Sequence, residues 1–192
     1  MFSLNRLALP LMALALGLAI LAGALAWGLG GGAAPAGIGG PFRLVNQDGK
    51  TVTDADFRGE PLLVFFGYTH CPDDCPITLA EMTMALKKLG PQAAIRGAFI
   101  TVDPERDTPA VMKNYLTSFD PRIAGLTGAR PAIDAVLKEY RVFFKKVPGK
   151  NGDYTSNHST VVYLMDKQGR FVNAVDFSRG PAAADKQLKA YM

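Results

Sequence analysis

An apolar run, Leu62-Leu63-Val64-Phe65-Phe66, leads into both cysteines of the chain, Cys71 and Cys75, and a helical pattern from Ile77 to Leu89 leads out of them. A run that is apolar at every position suits a strand buried on both faces, and such strands belong to sheets with helices packed on either side. The two thiols therefore sit where a central strand gives way to a helix, at the carboxyl end of a sheet, where α/β folds place their chemistry. Pro76 suits the first helical position, which needs no N–H, so Cys75 is expected to be the N-cap. Free amides and the positive end of the helix dipole would then favour thiolate over thiol. A thiolate pair in that setting is a redox couple or a soft-metal site.

The rest of the chain arranges itself around this junction. Phe42 to Thr53 reads as two short strands about an Asp-Gly turn, and Ala98 to Val102 as a second buried strand. Thr108 and Pro109 open a helix as cap and first residue. Arg122 to Thr127 reads as a short strand, Pro131 to Tyr140 as a helix, Arg141 to Lys146 as a strand or an extended arm, and Lys145 to Asp153 as a polar loop. Ser159 to Met165 and Arg170 to Val175 form a hairpin, and Pro181 to Met192 a last helix. This order describes a thioredoxin-like α/β domain over residues 41–192.

The N-terminus is different in kind. Leu7 to Leu29 is almost wholly apolar, and no charge occurs from Leu7 to Phe42. A bilayer needs about 20 such residues, and the run is longer than the apolar part of a cleaved signal. Residues 1–29 are expected to be a transmembrane anchor and 30–40 a Gly/Ala-rich linker. Arg6 precedes the span, so the N-terminus stays in the cytoplasm. The expected location is the inner (cytoplasmic) membrane, crossed once, with the C-terminal domain in the periplasm or an equivalent space. The formal net charge is +4, without the dense basic stripe and interleaved aromatics that nucleic acid requires.

Cysteines with three residues between them close too short a loop for a disulfide to restrain the unfolded chain much, so chemistry explains the pair better. Thioredoxin-like redox sites have two intervening residues. The third residue here, in Cys-Pro-Asp-Asp-Cys, opens the loop and leaves room for an ion. Thiolates select soft ions such as Cu(I), and a third ligand would make the site trigonal and help it accept Cu(II). The chain has two histidines. His158 lies in a loop expected to pass over the cysteine helix, and is the candidate third ligand. His70, beside Cys71, is expected to point away and serve as a supporting or packing residue. Asp103-Pro104-Glu105-Arg106-Asp107 reads as a capped turn with a local ion-pair network, with a docking surface as the alternative. Met82 and Met84 do not share a helical face and read as core or rim packing.

Four stretches, taken together, resemble one known family: Phe66-Gly67-Tyr68-Thr69-His70-Cys71-Pro72-Asp73 with Cys75-Pro76, Val102-Asp103-Pro104-Glu105-Arg106-Asp107-Thr108, Gly125-Leu126-Thr127-Gly128, and His158-Ser159 before Tyr163-Leu164. Over most of Pro41 to Met192 they are similar to the Sco (SenC) family of copper-binding assembly factors for cytochrome c oxidase. The resemblance implies a copper site, Cu(I) or Cu(II), made by Cys71, Cys75 and His158. It implies a membrane-anchored metallochaperone that assists assembly of the CuA centre on cytochrome c oxidase subunit II, with other copper chaperones as further partners. The alternative is a thiol–disulfide oxidoreductase that reduces the cysteines of that subunit, with Cys71 and Cys75 as its redox pair. Which of these describes the chain, carrier or enzyme, is left open by the residues. Asp74 stands where the family usually has an apolar residue and is read as a solvated loop residue. Asn157 stands where the family usually has Asp.

Overall fold

The computed structural model describes residues 37–149, 154–175, 177 and 181–191. The expected anchor at 1–29 and most of the linker lie outside them. Among the described residues no helix is long and apolar enough to cross a membrane.

The elements, in chain order, are β1 (Arg43–Asn46), β2 (Thr51–Thr53), β3 (Leu62–Gly67), α1 (Asp74–Leu89), β4 (Arg96–Thr101), α2 (Pro109–Leu116), β5 (Ile123–Thr127), α3 (Arg130–Glu139), β6 (Phe144–Pro148), β7 (Tyr154–His158), β8 (Val162–Met165), β9 (Phe171–Val175) and α4 (Pro181–Lys189). Seven strands form one sheet in the order β2-β1-β5-β4-β3-β8-β9. β3 runs parallel to β4 and antiparallel to β8, with Phe65 opposite Phe99 on one side and Val162 on the other. This is the thioredoxin-like α/β arrangement that the order of strands and helices predicts.

β3 shows why an unbroken apolar run was needed. All six of its residues are buried. Successive side chains point to opposite faces: Phe65 packs on Phe99, with ring centroids 5.8 Å apart, while Phe66 meets Tyr140 beyond α3 and Tyr163 of β8. Both layers of the core thus grip the strand that ends at the cysteine loop. Thr108 caps α2 as expected, its hydroxyl accepting from the Val111 N–H. In α1, Met82 is buried and Met84 exposed, so the two methionines do diverge.

Two expectations are corrected here. The region from Lys145 to Asp153 is not simply a loop, because β6 runs on to Pro148. The segment that carries His158 is not a loop either. Tyr154 to His158 forms β7, which pairs antiparallel with β6, His158 opposite Phe144. These two strands make a sheet of their own. They form an arm whose backbone pairing is internal, so its position depends on side-chain contacts with the body.

Candidate metal centre

The site begins where β3 runs out. Gly67 has no side chain because none fits: a Cβ there would lie 2.7 Å from Cys75 Sγ and 2.8 Å from Phe99. The chain then turns through Tyr68, whose carbonyl accepts from the Cys71 N–H at 3.2 Å. Asp107, fully buried after β4, fixes this turn. One carboxylate oxygen takes the Thr69 N–H at 3.0 Å and the other the Thr69 hydroxyl at 2.6 Å. The Thr101 hydroxyl supplies a further bond at 2.6 Å. The charged turn after β4 is therefore more than a local network. It anchors the loop that presents Cys71.

α1 starts at Asp74 with Asp73 as N-cap, and Asp73 makes no side-chain capping bond. Cys75 thus lies inside the first turn and is not the cap. Proline is tolerated throughout a first turn, where no residue needs its N–H for an intrahelical bond, so Pro76 did not fix the start. Asp74 is exposed, at the head of the helix and not in the loop. The expected thiolate bias also fails at Cys75. The residue is completely buried, and burial pushes its thiol well up; the Tyr68 backbone N–H opposes this, and Cys71 and Asp74 add to it. Desolvation outweighs the helix terminus. Cys71 is half-buried, and both cysteines are free.

His158 comes to the pair from the end of the arm. Ser156 is buried while Asn157 is exposed, so alternation along β7 turns Asn157 away from the body and His158 towards it. The ring is half-buried, edge-on to Tyr68 with centroids 5.8 Å apart and to Phe65 at 6.5 Å. Nδ1 lies 2.9 Å from the Ser159 carbonyl. A carbonyl only accepts, so Nδ1 carries the proton and Nε2 the lone pair. That lone pair faces Cys75 Sγ at 3.5 Å, and the neutral thiol donates to it. Burial pushes the His158 pKa down; the Ser159 carbonyl and Asp74 oppose the shift. The ring orientation thus comes from a backbone carbonyl.

One ligand atom from each of Cys71, Cys75 and His158 lies within 4.8 Å of the other two. With bonds of about 2.3 Å to sulfur and 2.0 Å to nitrogen, as for zinc, a trigonal ion needs its ligands about 3.7–4.0 Å apart and a linear one needs sulfurs about 4.6 Å apart. The 4.8 Å limit on all three separations, with 3.5 Å between Cys75 Sγ and His158 Nε2, places the donors within reach of one such ion. Two sulfurs and one neutral imidazole are a donor set for a soft ion. His70 is not part of it. Its side chain is 54% exposed, with Nδ1 3.9 Å from Asp107 and 3.1 Å from the Thr69 hydroxyl, so of the two roles expected for it the supporting one fits. Sequence reading missed Gly67, Thr69 and Asp107. A charged turn followed by a capped helix start gives no sign that one of its carboxylates is buried.

A thioredoxin-like domain with a dithiol and an imidazole gathered at the end of its central strand defines a class of soft-metal or thiol-redox protein. The family model for SCO1/SenC matches residues 31–192, and the chain belongs to that family. It is 41% identical over 145 residues to the mitochondrial protein SCO1 homolog 1 of Arabidopsis thaliana, covering 74% of this chain and 43% of that one. It therefore spans about half the length of the curated relatives it matches. Among solved structures, Bradyrhizobium japonicum ScoI with copper bound superposes with a TM-score of 0.77 at 53% identity, over 81% of this chain and 99% of that one. Yeast Sco1 with copper bound gives 0.72 at 36% identity, over 81% and 91%.

Proposed function

We propose that this chain is a membrane-anchored copper metallochaperone that carries its cargo on Cys71, Cys75 and His158 and assists assembly of the CuA centre of cytochrome c oxidase. The observation that carries the reading is the convergence of three soft or borderline donors, from a strand–helix loop and a separate arm, to within 4.8 Å. Copper held by relatives of 53% and 36% identity supports it. His158 keeps its proton on Nδ1, towards the Ser159 carbonyl, and turns Nε2 towards the cysteine pair, so the ligand nitrogen needs no deprotonation to bind. The two thiols must each release a proton, which makes uptake pH-dependent. Cys71, the more exposed sulfur, is the one an acceptor reaches first.

In this reading residues 1–29 anchor the chain in the inner (cytoplasmic) membrane, 30–40 are the linker and 41–192 the copper-binding domain, on the periplasmic or equivalent side. Subunit II of the oxidase is the recipient, and other copper chaperones are donors. The deciding experiment is copper stoichiometry and X-ray absorption on the full chain. One copper per chain with two sulfur ligands and one nitrogen is expected, the nitrogen vanishing in His158→Ala and binding lost in Cys71→Ser or Cys75→Ser. If the reduced protein takes no Cu(I) from a competing chelator, the reading fails.

A second reading, a thiol–disulfide oxidoreductase acting on the cysteines of the same subunit, is favoured by the unequal exposure of the pair. Half-buried Cys71 would attack a substrate disulfide as thiolate. Buried Cys75 would then resolve the mixed disulfide, reducing the substrate and leaving the pair oxidised. This activity needs no imidazole, so it survives in His158→Ala.

A further inference from the structure

The arm formed by β6 and β7 brings His158 to the cysteines, yet among the described residues its strands are paired only with each other. A lone two-stranded hairpin is marginal in water, so something must seat it. Tyr154, Ser156 and His158 share the body-facing side of β7. At the other end of that side from His158, the Tyr154 hydroxyl donates to Asp103 Oδ1 at 2.7 Å. Asp103 is fully buried, two residues beyond the end of β4, and its N–H bonds to the Thr101 hydroxyl at 2.9 Å. Its other oxygen takes Arg106 Nε at 2.5 Å. Arg106 in turn donates to the Tyr154 carbonyl at 3.1 Å and lies over the Tyr154 ring at 3.8 Å. Lys146, from β6, is 4.4 Å from the same ring and 3.9 Å from Asp103. Tyr154 is thus held by its hydroxyl, its ring face and its carbonyl.

We propose that Asp103 is a positioning residue for the metal centre: through Tyr154 and Arg106 it seats the β6–β7 arm so that His158 Nε2 meets the cysteine pair. The inference rests on the copper reading. Four residues of strand, at about 3.3 Å each, make a lever of about 13 Å from Tyr154 to His158. A rotation of about 5° at the anchored end moves the ring by about 1 Å, enough to take a ligand out of bonding range. A buried carboxylate with charge-assisted bonds is a stiff pivot for such a lever.

The test uses the full chain in detergent, with Asp103→Asn and Tyr154→Phe. Without metal, amide hydrogen exchange across 154–158 is expected to accelerate about tenfold while β3 is unchanged. With Cu(II), the nitrogen coupling in the electron paramagnetic resonance spectrum is expected to fade towards that of His158→Ala. Copper affinity is expected to fall about tenfold, with both thiols still titratable. Adding Asp103→Asn to His158→Ala should then cost no further affinity, because the two act through one ligand. Unchanged exchange in the arm, or affinity losses that add, would overturn the proposal. If Asp103→Asn does not fold, Tyr154→Phe decides alone, since it removes a single hydroxyl. Absence of nitrogen coupling in the unaltered protein would sink the copper reading itself.

Discussion

Gly67→Ala adds one methyl group at the end of β3 and changes no ligand. The new Cβ would lie 2.7 Å from Cys75 Sγ and 2.8 Å from Phe99 Cε2. Ordinary contacts are about 3.5–4.0 Å, so the sulfur and the ring must each retreat by about 1 Å. Neither has free space, since Cys75 and Phe99 are both fully buried. Overpacking of this kind costs about 1–3 kcal/mol. Part of that cost belongs to the sulfur and part to the ring, and a double-mutant cycle separates them. Urea unfolding of Gly67→Ala, Cys75→Ala and the double variant should give a coupling of about 1 kcal/mol, the double variant being less destabilised than the sum. Copper affinity should fall in Gly67→Ala although all three donors remain. If Gly67→Ala costs the same with and without the Cys75 sulfur, the close approach is not what excludes a side chain at position 67, and the reasoning is wrong.

Asp120 accepts Arg122 Nε at 2.9 Å and Nη2 at 2.9 Å through its two oxygens, and the Arg122 hydrogen bond holds its pKa below the usual carboxylate value of 3.8. A depressed folded-state pKa stabilises above the unfolded value and loses that contribution as pH falls through the folded one. Asp120→Asn should therefore cost about 1–3 kcal/mol at pH 7, a difference that narrows below about pH 4 in chemical unfolding; a gap independent of pH would contradict it. Alkylation followed by mass spectrometry should modify Cys71 well before Cys75 in the native metal-free protein, because the Cys75 thiol is buried and pushed towards its neutral form. Equal rates would mean that the first turn of α1 opens freely.

How much was legible beforehand depended on whether a residue's role lay in its neighbours along the chain. Leu62 to Phe66 announced a doubly covered strand because an apolar run has few other uses, and Thr108-Pro109 announced a helix start because capping is local. The convergence of Cys71, Cys75 and His158 was legible too, since sulfur and imidazole are scarce in this chain. β7 was not. Tyr-Thr-Ser-Asn-His has no apolar alternation, because only one side of the arm touches the body, and that side is held by polar bonds. The start of α1 was misplaced by two residues, as Pro76 fits more than one position in a first turn. Asp103 and Asp107 read as part of a capped turn with a local ion-pair network. They are held in part by Tyr154 and Thr69, partners that reach them only in three dimensions.

The contact between Cys75 and His158 joins positions 83 residues apart. An ion held by both sulfur and nitrogen would tie that long loop as a covalent cross-link does, and the chain-entropy relation for such a loop gives about 4–5 kcal/mol at 25 °C. A carrier built this way is firmest while it holds its burden and slackens on handing it over. Resistance to proteolysis would then report whether delivery had taken place.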